Sequence, residues 1–385
     1  MQAAQENQAR KAAKADNKNG DPLVLKSKIL AAISDPASPS TSIFIAESAG
    51  FVRRVSLDVM TTYRGPNAPV TCVAVSSDGK TLYAGSWDKD IWTWDVATAT
   101  AGPKLSGHDD FVKTVVCARL GGKDVLLSGG ADKKIIVWNA QTGRRLHTLQ
   151  DPTTSMMAVQ HLAVDPVLST ESELVFASAG SDKHIRRWRV TSAGGYEQLP
   201  EAFSDRPETE RLTIEEHETS VYKLLYDVSS AEDGEDGVDL WTASADGTAK
   251  CLSRSRGFVA DDVYEHGDYV RGVIVTDNWV VTAGRSEDVK VWDRSSGKLY
   301  CTLEGHFEEV TDLVLLPAGA HSPMRVCSVA IDGTIRTWPL ARKDLDRVVE
   351  DMRVAATKPK DEGAAAGEGL LTAEEEAELA ELMDD

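Results

Sequence analysis

One pattern of apolar and polar positions recurs along this 385-residue chain. Short apolar stretches rich in Val, Ile and Leu are separated by turns of Gly, Asp, Asn and Ser. The segments Gly107–Gln150 and Glu265–His306 lie in register with each other. Each begins near a His, runs through an apolar stretch and a turn, and reaches a shorter apolar stretch ending in Ser or Thr. A polar turn, an alternating stretch ending in Trp, a Gly turn and a last short stretch follow. Stretches this short, rich in β-branched residues and bounded by turn formers, predict four antiparallel strands per unit.

The Trp that closes the third strand marks each unit. It stands in a Trp-Asp pair at Trp94-Asp95 and Trp292-Asp293, and in altered pairs at Trp138-Asn139, Trp188-Arg189 and Trp338-Pro339. By alignment, Val55 and Leu252 take its place in two further units. The steps between these seven anchors are 39, 44, 50, 64, 40 and 46 residues. A repeat of roughly 40–45 residues is expected for four-stranded propeller blades, so the two longest steps must hold insertions. Thr191–Glu210 and Ser229–Val238 have the turn and charge composition of such insertions.

With these anchors and this period, the chain resembles the WD-repeat family over about residues 22–340. The resemblance implies an all-β, seven-bladed β-propeller spanning residues 21–340. The last unit reaches only its third strand before the sequence turns helical, so its fourth strand must come from elsewhere. Pro22–Lys26 is apolar enough to supply it, pairing beside Ile335–Trp338 as in the family's usual closure. Residues 1–20 are polar and are expected to be disordered. Residues 341–357 predict an amphipathic helix with Leu345, Val348, Val349, Met352 and Ala356 on one face. A linker and an acidic helix are expected over 358–385, the helix opened by a Thr372/Glu375 capping box.

A set of polar residues recurs with the units. His108, Ser128, Asp132 and Trp138 form one set, and His306, Ser328, Asp332 and Trp338 form another at matching offsets. An imidazole can bond a carboxylate and a hydroxyl at once, and a buried indole N–H needs an acceptor. These tetrads are expected to fasten the loops of a blade to its own third strand. A Ser-His-Asp hydrolase uses the same residue types, but recurrence in several units speaks for scaffold. Other units keep part of the set: His217, Thr242 and Asp246 lack the Trp, His266 faces Ser286 where Asp is expected, and the fourth unit has no aligned His.

Composition narrows the function classes. No phosphate-loop, nucleophile-elbow, zincin or kinase motif is present, and His147, His161, His184 and His321 have no ligand spacing. No catalytic activity, cofactor or metal is therefore expected. The five Cys are scattered and never spaced C-x-x-C, which suits a reducing compartment. With no apolar leader and no long apolar run, a cytoplasmic or nuclear location is expected, without membrane attachment or secretion. The net charge of −19 disfavours direct sequence-specific nucleic-acid binding and favours protein partners with basic segments. The basic stretch Lys183–Arg189 is expected to be a solvated strand surface, because its arginines alternate between two faces.

In the resembled family, two positions per blade point outward on the top face, one shortly after the Gly-His pair and one just before the tetrad Asp. They predict a protein-binding surface anchored by Trp87, Phe111, Met157, Tyr269, Arg285 and Ile331, residue types enriched at interface centres. The acidic tail offers Leu371, Leu379, Leu382 and Met383 as a second, helical docking segment. The expectation is a non-catalytic adaptor, a monomeric propeller within a multiprotein complex. An escort for a highly basic protein, such as a ribosomal protein or histone, is the alternative. A ubiquitin-ligase substrate receptor fits less well. Such members carry Arg or Lys two residues past the Asp of Trp-Asp, where this chain has Ala97, Gln141, Thr191, Ser295 and Ala341.

Overall fold

A computed structural model describes residues 14, 17–56, 59–203, 206–228, 237–319 and 322–357. Seven four-stranded antiparallel sheets follow one another along the chain. Their innermost strands are Ile29–Ser34, Val70–Val75, Val112–Leu120, Val159–Val164, Val221–Tyr226, Val270–Val275 and Val310–Leu316. Each inner strand packs against the inner strands before and after it, and the seventh returns to the first. The result is the expected seven-bladed propeller, with blades numbered 1 to 7 from these strands.

The apolar side chains gather between blades rather than in one central core. Each of the seven clusters joins two neighbours, as Val52, Tyr63, Val73 and Trp94 do for blades 1 and 2. The second strand of each blade is sandwiched on both faces, so Ser42–Glu47 and Trp279–Gly284 are buried throughout. This is why those strands read as unbroken apolar or small runs rather than alternating ones. Close approach sets the small residues: a Cβ on Gly129 would lie 2.5 Å from Val159 Cγ1 of the next blade. Val55 and Leu252 occupy the Trp register, pairing with Ile43 and Leu240 as Trp94 pairs with Leu82.

The ring closes as expected. Leu23 and Val24 pair antiparallel with Ile335 and Thr334, giving blade 7 its fourth strand from the other end of the chain. Residues 17–20, which fall in the stretch expected to be disordered, also lie against blade 7. Asn17 and Asn19 donate to the Gly305 and Glu304 carbonyls, and the Thr337 amide donates to the Gly20 carbonyl. Polar composition concealed this because the contacts are hydrogen bonds from asparagine side chains and backbone rather than apolar packing.

The long steps hold more order than their composition indicated. Tyr196–Gln198 is the fourth strand of blade 4, and Glu201–Phe203 with Arg206–Arg211 adds a two-stranded hairpin. Most of the second insertion, residues 229–236, lies outside the described residues. Helix α1, Arg342–Thr357, buries Leu345 and packs Val348, Val349 and Met352 on the cluster between blades 6 and 7. There the Arg342 guanidinium lies 4.9 Å from the ring centre of Trp279, whose indole donates to the Leu340 carbonyl.

Candidate functional site: the top face and channel mouth

The loops at one end of the blades are fixed by the tetrads. In blade 3, His108 meets Asp132 through Nδ1 at 3.0 Å and Ser128 through Nε2 at 2.7 Å, while the Trp138 indole donates to the same Ser128 hydroxyl at 2.8 Å. Blade 7 repeats this with His306, Asp332, Ser328 and Trp338. Burial opposes charge on Asp132. Bonds from His108 and from the Asp109 and Lys134 amides outweigh it and hold the carboxyl below its ordinary pKa. Burial pulls His306 below the usual imidazole range despite its carboxylate partner.

Blade 4, lacking the His, substitutes a different device. Arg186 is buried and bridges Asp151 and Asp182 at 2.9 and 3.1 Å. Its neighbour Arg187 is buried as well, held by Asp165 and Glu201. The basic stretch is therefore not a solvated surface at these two positions. Their partners lie up to 35 residues away in sequence, where local reading does not find them.

The two top-face positions of each blade are joined by one backbone bond. The Trp87 amide donates to the Pro69 carbonyl, Ala131 to Phe111, Ala245 to Ser220, Arg285 to Tyr269 and Ile331 to Glu309. In blade 4 the pair is Ser181 and Ala158, so Ala158, rather than Met156 or Met157, takes the first position. Trp87 and Phe111, from neighbouring blades, stack with ring centres 4.8 Å apart and planes 12° apart. They remain 46% and 36% exposed. On the far side of the ring, the Arg285 guanidinium lies 4.9 Å from the ring centre of exposed Tyr269. Met157 is exposed, with its amide bonded to Asp182, while its neighbour Met156 is buried. Ile331 is half-buried and, with Trp87, lines the central channel. Leu371, Leu379, Leu382 and Met383 lie outside the described residues.

The channel holds residues that pattern reading missed. Every inner strand carries a register shift after its first residue. A bulge leaves one residue unpaired and re-aims its side chain. The seven bulge residues are Leu30, Thr71, Lys113, Gln160, Tyr222, Arg271 and Thr311, and all line a cavity of about 560 Å³. Several reach a neighbouring blade: the Thr71 hydroxyl donates to the Val112 carbonyl and Thr311 to Ile29 of the following blade, and the Arg271 guanidinium lies 3.9 Å from the ring centre of Tyr222 on the preceding one. A bulge has no residue-type signature, so only the known register exposes this ring. Among the described residues, no cluster of His, Cys, Asp and Glu suited to a metal is found, and no helix is long and apolar enough to cross a membrane.

A family model for the WD domain, G-beta repeat, matches residues 57–95, 101–139 and 297–339. An uncharacterized WD repeat-containing protein of Schizosaccharomyces pombe is 32% identical over 399 residues, an alignment covering all of this chain and 97% of that protein. The chain belongs to the WD-repeat family. Each matched repeat straddles two blades: 297–339 takes the last strand of blade 6 and three strands of blade 7, leaving the seventh sheet to be completed by Leu23–Val24. The nuclear distribution protein nudF of Aspergillus niger is 26% identical over 302 residues, 73% of this chain and 61% of that protein. The crystal structure of the WD40 beta propeller domain of Doa1 superposes with a TM-score of 0.63 at 18% identity, covering 85% of this chain and 97% of that one, which shows the fold alone. WD-repeat propellers typically serve as protein-interaction scaffolds and are usually non-catalytic.

Proposed function

We propose that this WD-repeat protein is a non-catalytic adaptor that binds proteins through its top face, with the acidic C-terminal segment as a second contact, and so assembles a multiprotein complex in the cytoplasm or nucleus. The observation that carries this reading is the Trp87–Phe111 stack, two large aromatic faces left exposed on adjacent blades at the channel mouth. Burying such rings against a partner removes apolar area from water at about 25 cal/mol per Å², and aromatic anchors of this kind dominate interface energetics. The blade 3 tetrad holds the loop that presents Phe111, and Asp88, which accepts the Trp92 indole and the Asp90 amide, braces the turn that presents Trp87, which lowers the ordering cost of binding.

The test is affinity purification of the full chain beside a Trp87→Ala/Phe111→Ala/Tyr269→Ala variant with an unchanged melting curve. Loss of specific partners in the variant is the expected result, and unchanged recovery overturns the top-face mechanism. A second reading, escort of a highly basic protein, draws on the net charge of −19. It requires affinity that falls steeply with salt, and affinity that stays flat from low to high salt removes it.

A further inference from the structure

The charges lining the channel do not balance. Arg271 is paired with Glu309. Lys223 reaches past blade 6, where Gly272 presents no side chain, to pair with Asp312 at 2.8 Å. Lys113, also half-buried on this lining, has only the Gln160 amide oxygen at 3.4 Å, and no carboxylate pairs with it among the described residues. His161 is half-buried beside Lys223, accepts the Leu224 amide at Nδ1 and is held neutral, desolvation and the Lys223 charge both pushing its pKa well down. Three cations face two carboxylates, a surplus of one positive charge inside a strongly acidic protein. Burial first, then the neighbouring Arg271 charge, lower the pKa of Lys113 by more than Cys72 and Asp110 raise it, and among the described residues no carboxylate stands at pairing distance from its ammonium ion.

We propose that Lys113 is the receptor for a single carboxylate, an Asp or Glu side chain that a docked partner segment lowers into the channel. This rests on the top-face reading above and gives it a partner chemistry. The charge fits a monoanion; a phosphate dianion would leave a net negative charge in a partly desolvated space. The place fits as well. Lys113 follows Phe111 by two residues, and Trp87 both stacks on Phe111 and lines the channel. A segment resting on the aromatic stack therefore has the ammonium within reach of a side chain. Because the whole protein repels acids at a distance, the acid fits best as one carboxylate within a basic or neutral segment.

The experiment selects displayed random peptides on the intact chain. Wild type is expected to enrich peptides with a fixed Asp or Glu, lost from the Trp87→Ala/Phe111→Ala variant. Changing that Glu to Gln in a synthetic peptide should weaken binding by about tenfold on wild type and have no effect on Lys113→Met, while Lys113→Arg retains the preference. Equal binding of the Glu and Gln peptides to wild type, a comparison that needs no protein variant to fold, overturns the carboxylate receptor while leaving an aromatic-dependent top face standing. Enrichment without aromatic dependence overturns the top-face reading, and this inference with it. Thermal stabilisation of wild type but not Lys113→Met by free glutarate, with no acidic preference among peptides, assigns the site to a small molecule and overturns the partner segment.

Discussion

Ser286 Oγ stands 2.8 Å from His266 Nε2, where blades 3, 5 and 7 present an aspartate to their histidine. The other ring nitrogen of His266 meets Thr282, which also accepts the Trp292 indole. Blade 6 thus keeps the geometry of the tetrad without its negative charge. Burial first, and the Lys290 charge second, push the His266 pKa down to about 4.

This difference sets a pH dependence. The unfolded imidazole titrates near 6.5. Because the folded value is lower, stability from this site is complete above about pH 6.5 and is lost as pH falls toward about 4, by an order of 3 kcal/mol in the limit. Ser286→Asp should raise the His266 pKa and flatten the loss of stability between pH 6.5 and 4. NMR titration of the imidazole and urea melts at several pH values check both outcomes; an unchanged His266 titration refutes the assignment.

Closure of the ring predicts a penalty for truncation. Deleting residues 1–26 removes the pairing of Leu23 and Val24, the Leu25 amide bond to Gly333 and the contacts of Asn17, Asn19 and Gly20 with blade 7. At about 1 kcal/mol per hydrogen bond, with the exposed apolar edge added, the loss is several kcal/mol. A milder probe is Gly20→Ala. Gly20 has φ +69°, and a Cβ there would lie 2.9 Å from the Trp338 ring. A cost of about 1–2 kcal/mol in chemical denaturation is expected.

Asp165 is fully buried and serves two arginines from different blades, Arg187 and Arg254, each at 3.0 Å. Asp165→Ala leaves both guanidinium groups short of a counter-charge and should cost about 3–5 kcal/mol. Glu350→Ala, which breaks an exposed pair with Arg353 on α1, should leave stability essentially unchanged, because solvent screens the pair. Denaturation midpoints of the two variants, measured side by side, test the contrast.

Blade count, strand number and ring closure were legible in the sequence because a Trp or its apolar substitute recurs where each third strand pairs with the second. Val55 and Leu252 keep that register although neither is aromatic. What stayed hidden has physical causes. Tyr196–Gln198 is a strand of three residues, too short to show a period. The burial of Arg186 and Arg187 depends not only on nearby Asp182 but on Asp151, Asp165 and Glu201, 14 to 35 residues away. The channel ring depends on backbone bulges, and Lys113 looked like any polar residue beginning an apolar strand. The exposed aromatics were named from the repeat's frame, but the stacking of Trp87 on Phe111 joins two repeats, and no single repeat contains it.

The strand that completes blade 7 is also the first part of the propeller to be synthesised. Leu23 and Val24 leave the ribosome more than 300 residues ahead of Ile335 and Thr334, against which they finally lie. Blades 1 to 6 can form while translation continues, but the seventh cannot seal until its own third strand has emerged. The closing step therefore waits until Thr334 and Ile335 have emerged, and until then the growing arc carries an open sheet edge that the cell must keep from pairing with a stranger.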